Sequence, residues 1–174
     1  MKNRNKTNQP SAYVADGRCG RATYIAWNFL ITLIMFVCFA IVITIYWSSI
    51  SVLITMNEAT PETADQIINA IAPINAFGSL INFIFMYFMF VFSIKRLHDF
   101  NKSGWFSLFN LIPIVNLFFI AWLSMNIGDE GKNDFGYPRP TKKWEYILAW
   151  ISIIFTSLIG LSLIVALVQV FKFL

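Results

Sequence analysis

The sequence is poor in the residues on which soluble active sites draw. It holds one histidine, His98, so a His-x-x-x-His zinc pair cannot form. It holds two cysteines, Cys19 and Cys38, and no Cys-x-x-Cys. Cys38 lies inside a long apolar run, and the nineteen residues between the two thiols would span about 28 Å of helix, beyond disulfide reach. No Gly-x-Ser-x-Gly elbow and no Gly-rich phosphate loop occur. Charge is scarce as well: 13% of residues are charged, about half of the roughly 25% usual for a soluble domain. The net charge of +4 is spread over separate segments, with no basic helix or aromatic platform, which argues against a nucleic-acid partner. A chain with 57% apolar and aromatic residues is not disordered, fibrous or an ordinary water-soluble enzyme.

What the chain has instead is long uncharged runs. There are 36 uncharged residues between Arg21 and Glu58, 29 between Asp65 and Lys95, 26 between Lys102 and Asp129, and 26 between Glu145 and Lys172. A helix needs about 20 mostly apolar residues to cross a bilayer core of about 30 Å. The runs predict hydrophobic segments at roughly Tyr24–Ser48, Ile74–Ile94, Trp105–Ile127 and Tyr146–Phe171. Ile31–Ile45 shows no polar stripe, as a soluble amphipathic helix would. The polar start, Met1–Ser11, does not read as a signal peptide, so the first segment is expected to be a retained anchor. The expected fold is an all-α integral membrane bundle of four hydrophobic segments, the third broken by proline. It divides into a cytoplasmic segment over 1–23, a core with three hydrophobic segments over 24–145, and an additional transmembrane helix over 146–174.

Lysine and arginine favour the cytoplasmic side. Five lie before Thr23, and the loop Asn57–Pro73 has none but carries Glu58, Glu62 and Asp65. This predicts a cytoplasmic N-terminus and an extracytoplasmic acidic loop. The third run has two possible paths. If it re-enters, Lys and Arg divide 12 inside to 1 outside, whereas a crossing gives 9 to 4. Pro113, flanked by Asn110 and Asn116, supplies a break, and broken backbone at membrane depth is tolerated in protein or a wet cavity. Trp105 and Trp122, seventeen residues apart, instead suit a kinked crossing helix with an aromatic residue at each interface. The charge count favours re-entry.

Small and polar residues recur at helical spacing: Asn28 and Thr32, then Asn75, Ser79 and Asn82, then Ser152, Thr156 and Gly160. They read as packing positions between helices. A transport pathway would be expected to carry ionisable residues inside the spans, and the spans have none.

Three polar segments stand out: Gly17-Arg18-Cys19-Gly20-Arg21-Ala22-Thr23-Tyr24; Lys95-Arg96-Leu97-His98-Asp99 followed by Ser103-Gly104-Trp105-Phe106; and Gly128 through Gly136. The combination resembles the bacterial inner-membrane family called domain of unknown function 805, from about Gly17 to Pro140. That family shows G-R-x-x-R-x-x-Y-W, R-R-L-H-D with S-G-W-W, I-P-x-x-G and G-x-N-x-Y-G-P. Here Ile25 replaces the Trp, Lys95 the first Arg and Asn116 the Gly, and Tyr137 is inserted before Pro138. The resemblance implies a small polytopic inner-membrane protein and no particular reaction.

The candidate site is a cytoplasmic-face cluster of Arg18, Arg21, Tyr24, Arg96, His98, Asp99, Trp105, Asn133, Phe135 and Gly136. Arg96 and Asp99 are three apart and pair if the helix extends that far, so an exchange of the two residues should partly restore a broken pair. His98, with an ordinary pKa of about 6.5, has acid–base or proton-sensing chemistry available; as a structural cap it would tie two helices together. A second candidate is the intramembrane break at Asn110, Pro113 and Asn116. No catalytic, cofactor or metal residues are assigned and no cofactor is expected. The leading functional expectation is a non-enzymatic scaffold or binding protein. Its partners would be the bilayer, including anionic headgroups, a membrane protein or a second copy of the chain. The alternatives are a transporter or channel subunit using the proline break, and an enzyme on a lipid-linked substrate using His98 and Asp99.

Overall fold

The computed structural model describes residues 15–47, 51 and 61–173. Among them are α1 (Arg21–Ile45), α2 (Pro61–Asp99), a 3₁₀ helix (Gly104–Leu111), α3 (Pro113–Met125) and α4 (Lys143–Phe173). The described residues contain no strand, only a lone bridge between Asn133 and Gly136. Three stretches are long and apolar enough to cross a membrane: Arg21–Ile45, Ile71–Asp99 and Lys143–Lys172. Trp105–Ile127 is not one of them.

α2 starts earlier than the hydrophobic pattern alone predicts. Pro61 opens it, at a position where a missing N–H costs nothing. The helix then runs through Pro73, so most of the expected acidic loop is helical; its residues 57–60 lie outside the described ones.

The chain divides into two compact units. The smaller, Ile31–Met89, pairs the second part of α1 with most of α2. There Gly78 lets the Phe39 ring approach to 3.5 Å of where a Cβ would stand. Asn75, Ser79 and Asn82 line a groove beside Phe39 and make no hydrogen bond among the described residues.

The larger unit comprises Met1–Leu30 and Phe90–Leu174. Its core holds Tyr24, Ala26, Val91, Phe92, Leu97, Phe119, Leu123 and Ala149. α2 ends in a Schellman motif: Lys102 N–H donates to Leu97 O at 3.0 Å and Asn101 N–H to His98 O at 3.1 Å. Asn101 takes the left-handed conformation this requires, with φ 54°. Ser103 then caps the 3₁₀ helix, accepting from Trp105 N–H at 3.4 Å. Ile112 is extended, and Pro113 occupies the first position of α3, so the proline starts a helix rather than kinking one. After α3, Asp129 N–H reaches Asp99 O at 2.8 Å. The third hydrophobic run therefore leaves the end of α2 and returns to it as a hairpin. The tryptophan spacing that suited a crossing is not realised, because the backbone turns at Ile112 between the two rings. In α4 the predicted small-residue row is used only at Ser152, which is buried; Thr156 is exposed and nothing lies within 4 Å of a Cβ on Gly160.

Candidate functional site

The end of α2 carries a buried knot of charge. Asp99 lies between two guanidinium groups whose side chains are fully buried. Arg18 meets Asp99 Oδ1 through Nε at 3.1 Å, and Arg96 bonds Oδ2. Each arginine spends its remaining donors on backbone carbonyls. Arg18 donates to Gly131 O at 2.6 Å, to Gly136 O at 3.1 Å and to Asp129 O. Arg96 donates to Leu123 O at 2.8 Å, Asn126 O at 2.5 Å and Cys19 O at 3.3 Å, and stacks over Phe100 at 4.4 Å.

The carbonyls chosen explain the arrangement. The last four C=O groups of any helix have no partner within it. At the end of α3, Leu123 O is taken by Arg96, Met125 O by Arg21 at 3.3 Å, and Trp122 O by the side chain of Asn126 at 2.7 Å. Arg96 is thus the C-terminal cap of a helix in another part of the chain. Gly128 lets the loop lie this close: a Cβ there would collide with the Asp99 carboxylate and fall 2.9 Å from the Asp99 backbone oxygen.

His98 adds a second tie. Its Nδ1 is 3.2 Å from Gly17 O, an atom that only accepts, so Nδ1 carries the proton and Nε2 faces the Gly104 side. Phe135 stacks on the imidazole with centroids 3.8 Å apart, and Asn133 donates to His98 O at 2.8 Å. Gly136 permits the tight return with φ 104°. Cys19 is buried beside the knot, and burial pushes its thiol up to about 12.

A further knot escaped the sequence reading. Glu145 is fully buried near the start of α4. It accepts from Lys142 N–H at 2.8 Å, the backbone half of a capping box. It also accepts from Arg139 at 2.8 Å, Trp27 Nε1 at 3.1 Å and Thr23 at 3.2 Å. Two of these groups, Thr23 and Trp27, belong to α1 and tie it to the start of α4. The signal was available: a lone acid three residues past the helix cap, at the mouth of an apolar run.

Of the predicted cluster, Arg18, Arg96, His98, Asp99, Asn133, Phe135 and Gly136 are brought together. Arg21 lies at the edge, exposed. Trp105 is 79% exposed and shares a cleft with His98 and Phe135. Tyr24 is inside the core, its hydroxyl buried near Ser93. At the break, Asn110 donates to Ser93 at 3.0 Å, while its oxygen and that of Asn116 are buried and unpaired.

Beside the knot, Arg21, Ile25, Ile127, Asp129 and Glu130 join Tyr146, Trp150 and Ile153 of α4 in lining a cleft of about 490 Å³. The described residues contain no cluster of three or more His, Cys, Asp or Glu able to hold a metal. Both oxygens of Asp99 accept from arginines, so the carboxylate serves as the buried counter-ion of the knot.

These features define an all-helical protein with the long apolar helices of a membrane protein, its interhelical end locked by an Arg–Asp–Arg knot. The chain belongs to DUF805, a family of proteins of unknown function, whose model matches residues 13–137. The match covers the knot and the hairpin and ends before α4. Neither a curated protein nor a solved structure matches the chain.

Proposed function

We propose that this is a non-enzymatic multi-pass protein of the bacterial cytoplasmic membrane whose cytoplasmic end is a preassembled platform for phospholipid headgroups. Three helices cross, the hairpin dips in and returns, the N-terminus is cytoplasmic and the C-terminus lies on the opposite side. One observation carries the reading. Arg18, Arg96 and Asp99 spend their charge on each other and on backbone carbonyls, so they build the platform rather than bind with it. Among the described residues, the exposed cations at this end include Arg21, Lys102, Lys132, Lys142 and Lys143. Each contributes up to about 1 kcal/mol beside an anionic bilayer surface. The transporter and enzyme readings draw less support, because Pro113 starts a helix and Asp99 is buried between two arginines.

Two measurements test this. A phosphatase fused after Leu174 should be active outside the cytoplasm, and a cytoplasm-only fluorescent reporter there should stay dark; the reverse result refutes the topology. The purified protein should retain phospholipid through detergent exchange, as read by native mass spectrometry. A lipid-free spectrum refutes the platform.

A further inference from the structure

The cleft beside the knot is lined by charges of both signs and by apolar side chains. Arg21 in that lining is exposed, gives one N–H to Met125 O, and has no carboxylate partner among the described residues. A guanidinium with free N–H groups is the side chain best matched to a phosphate. Asp129 and Glu130 line the same cleft. The backbone of Asp129 is held at both ends, its N–H by Asp99 O and its C=O by Arg18, so its place is set before any ligand arrives. Its carboxylate accepts from Asn133 at 3.2 Å, which leaves further lone pairs open. Glu130 is exposed and makes no hydrogen bond or ion pair among the described residues.

Arg96 and Asp99 in the lining offset each other, so Arg21 with the two carboxylates leaves a net charge of −1. A purely anionic headgroup would satisfy Arg21 and be repelled by the two acids. A headgroup carrying a phosphate and an amine satisfies both signs. A primary ammonium has three donors for the carboxylates, which a quaternary ammonium lacks. Tyr146 and Trp150, 52% and 64% exposed on the cleft wall, add aromatic faces that attract a cation. Ile25 and Ile153 continue the wall with apolar surface, which a soluble headgroup would leave unused.

We propose that this cleft binds one phospholipid with an amine-bearing zwitterionic headgroup of the phosphoethanolamine type, its phosphate on Arg21 and its ammonium on Asp129 and Glu130. The assignment rests on the lipid-platform reading and narrows it to one site and one headgroup class.

The test offers the purified full-length protein equimolar phosphatidylethanolamine, phosphatidylcholine and phosphatidylglycerol with identical acyl chains, and reads bound lipid by native mass spectrometry. The ethanolamine lipid should exceed each of the others by about tenfold, equivalent to about 1.4 kcal/mol. Glu130→Gln should reduce that preference over the glycerol lipid with no change in thermal midpoint, since its side chain makes no hydrogen bond or ion pair among the described residues. Asp129→Asn with Glu130→Gln should bring the ratio close to unity, and Arg21→Ala should lower retention of all three lipids. Equal retention of the three by the wild type, or a preference that survives both acid variants, overturns the headgroup assignment and leaves the platform standing. Displacement of the lipid by excess soluble glycerophosphoethanolamine overturns the role of the apolar wall. Absence of all three lipids defeats the platform as well.

Discussion

Replacing Asp99 by asparagine keeps the side-chain shape and removes one charge. Arg18 and Arg96 are then left facing each other with their side chains fully buried and no counter-ion within the knot. Breaking a buried ion pair from one side costs about 3–5 kcal/mol, because the survivor stays charged and desolvated. Here there are two survivors, so the upper part of that range applies. Against a total stability of about 5–15 kcal/mol, such a loss is large. For a chain of this size each kcal/mol moves the melting midpoint by about 2–4 °C, so Asp99→Asn should lower it by about 8–20 °C. The assay is thermal unfolding of detergent-purified protein followed by size-exclusion chromatography. The double exchange Arg96→Asp with Asp99→Arg should do no better. It would set an arginine at 99 against Arg18 and remove the donors to Leu123, Asn126 and Cys19. A midpoint within about 2 °C of wild type for Asp99→Asn would refute the knot as a stabilising element, and recovery by the exchange would refute the claim that Arg96 acts mainly on carbonyls.

Gly128→Ala should destabilise by about 1–3 kcal/mol, the usual cost of overpacking, because the added Cβ meets the Asp99 carboxylate and backbone; the same melting assay reads it. Glu145→Ala should cost about 3–5 kcal/mol by leaving Arg139 without its partner, and should raise proteolysis at the start of α4 before elsewhere. In a Cys38→Ala background, the Cys19 thiol should resist maleimide at pH 8 until the protein is denatured. Its pKa of about 12 leaves about one thiol in ten thousand ionised there, and reactivity should rise only in strongly alkaline solution. Rapid labelling of the folded protein at pH 8 would contradict the burial.

The sequence made the long apolar helices legible because insertion into lipid writes itself into composition: charge must be absent for about 20 residues. The hairpin was legible in part, through the loop charges and Pro113. Its turning point was not, because Pro113 reads equally as a kink and as a helix start. The pairing of Arg96 with Asp99 was legible from their i, i+3 spacing. The rest of the arginines' role was not, because only the fold reveals that carbonyls of Leu123, Asn126, Gly131 and Gly136 come to meet Arg96 and Arg18. Glu145 escaped because its partners, Thr23 and Trp27, lie far away in the chain.

The knot also sets a clock on biosynthesis. Arg18 and Gly136, the furthest-separated partners in it, are 118 residues apart. At about 5–20 residues per second, the loop that finally buries Arg18 emerges about 6–24 s after the arginine itself. On the proposed topology, Arg18 and Arg21 would in that interval be hydrated positive charges beside the first apolar helix, which is when such charges orient a nascent chain in the bilayer. Arg18 would become an interior residue only later. On that topology one side chain would serve first as a topology signal and then as a structural pin, its two duties separated in time by the distance between residues 18 and 136.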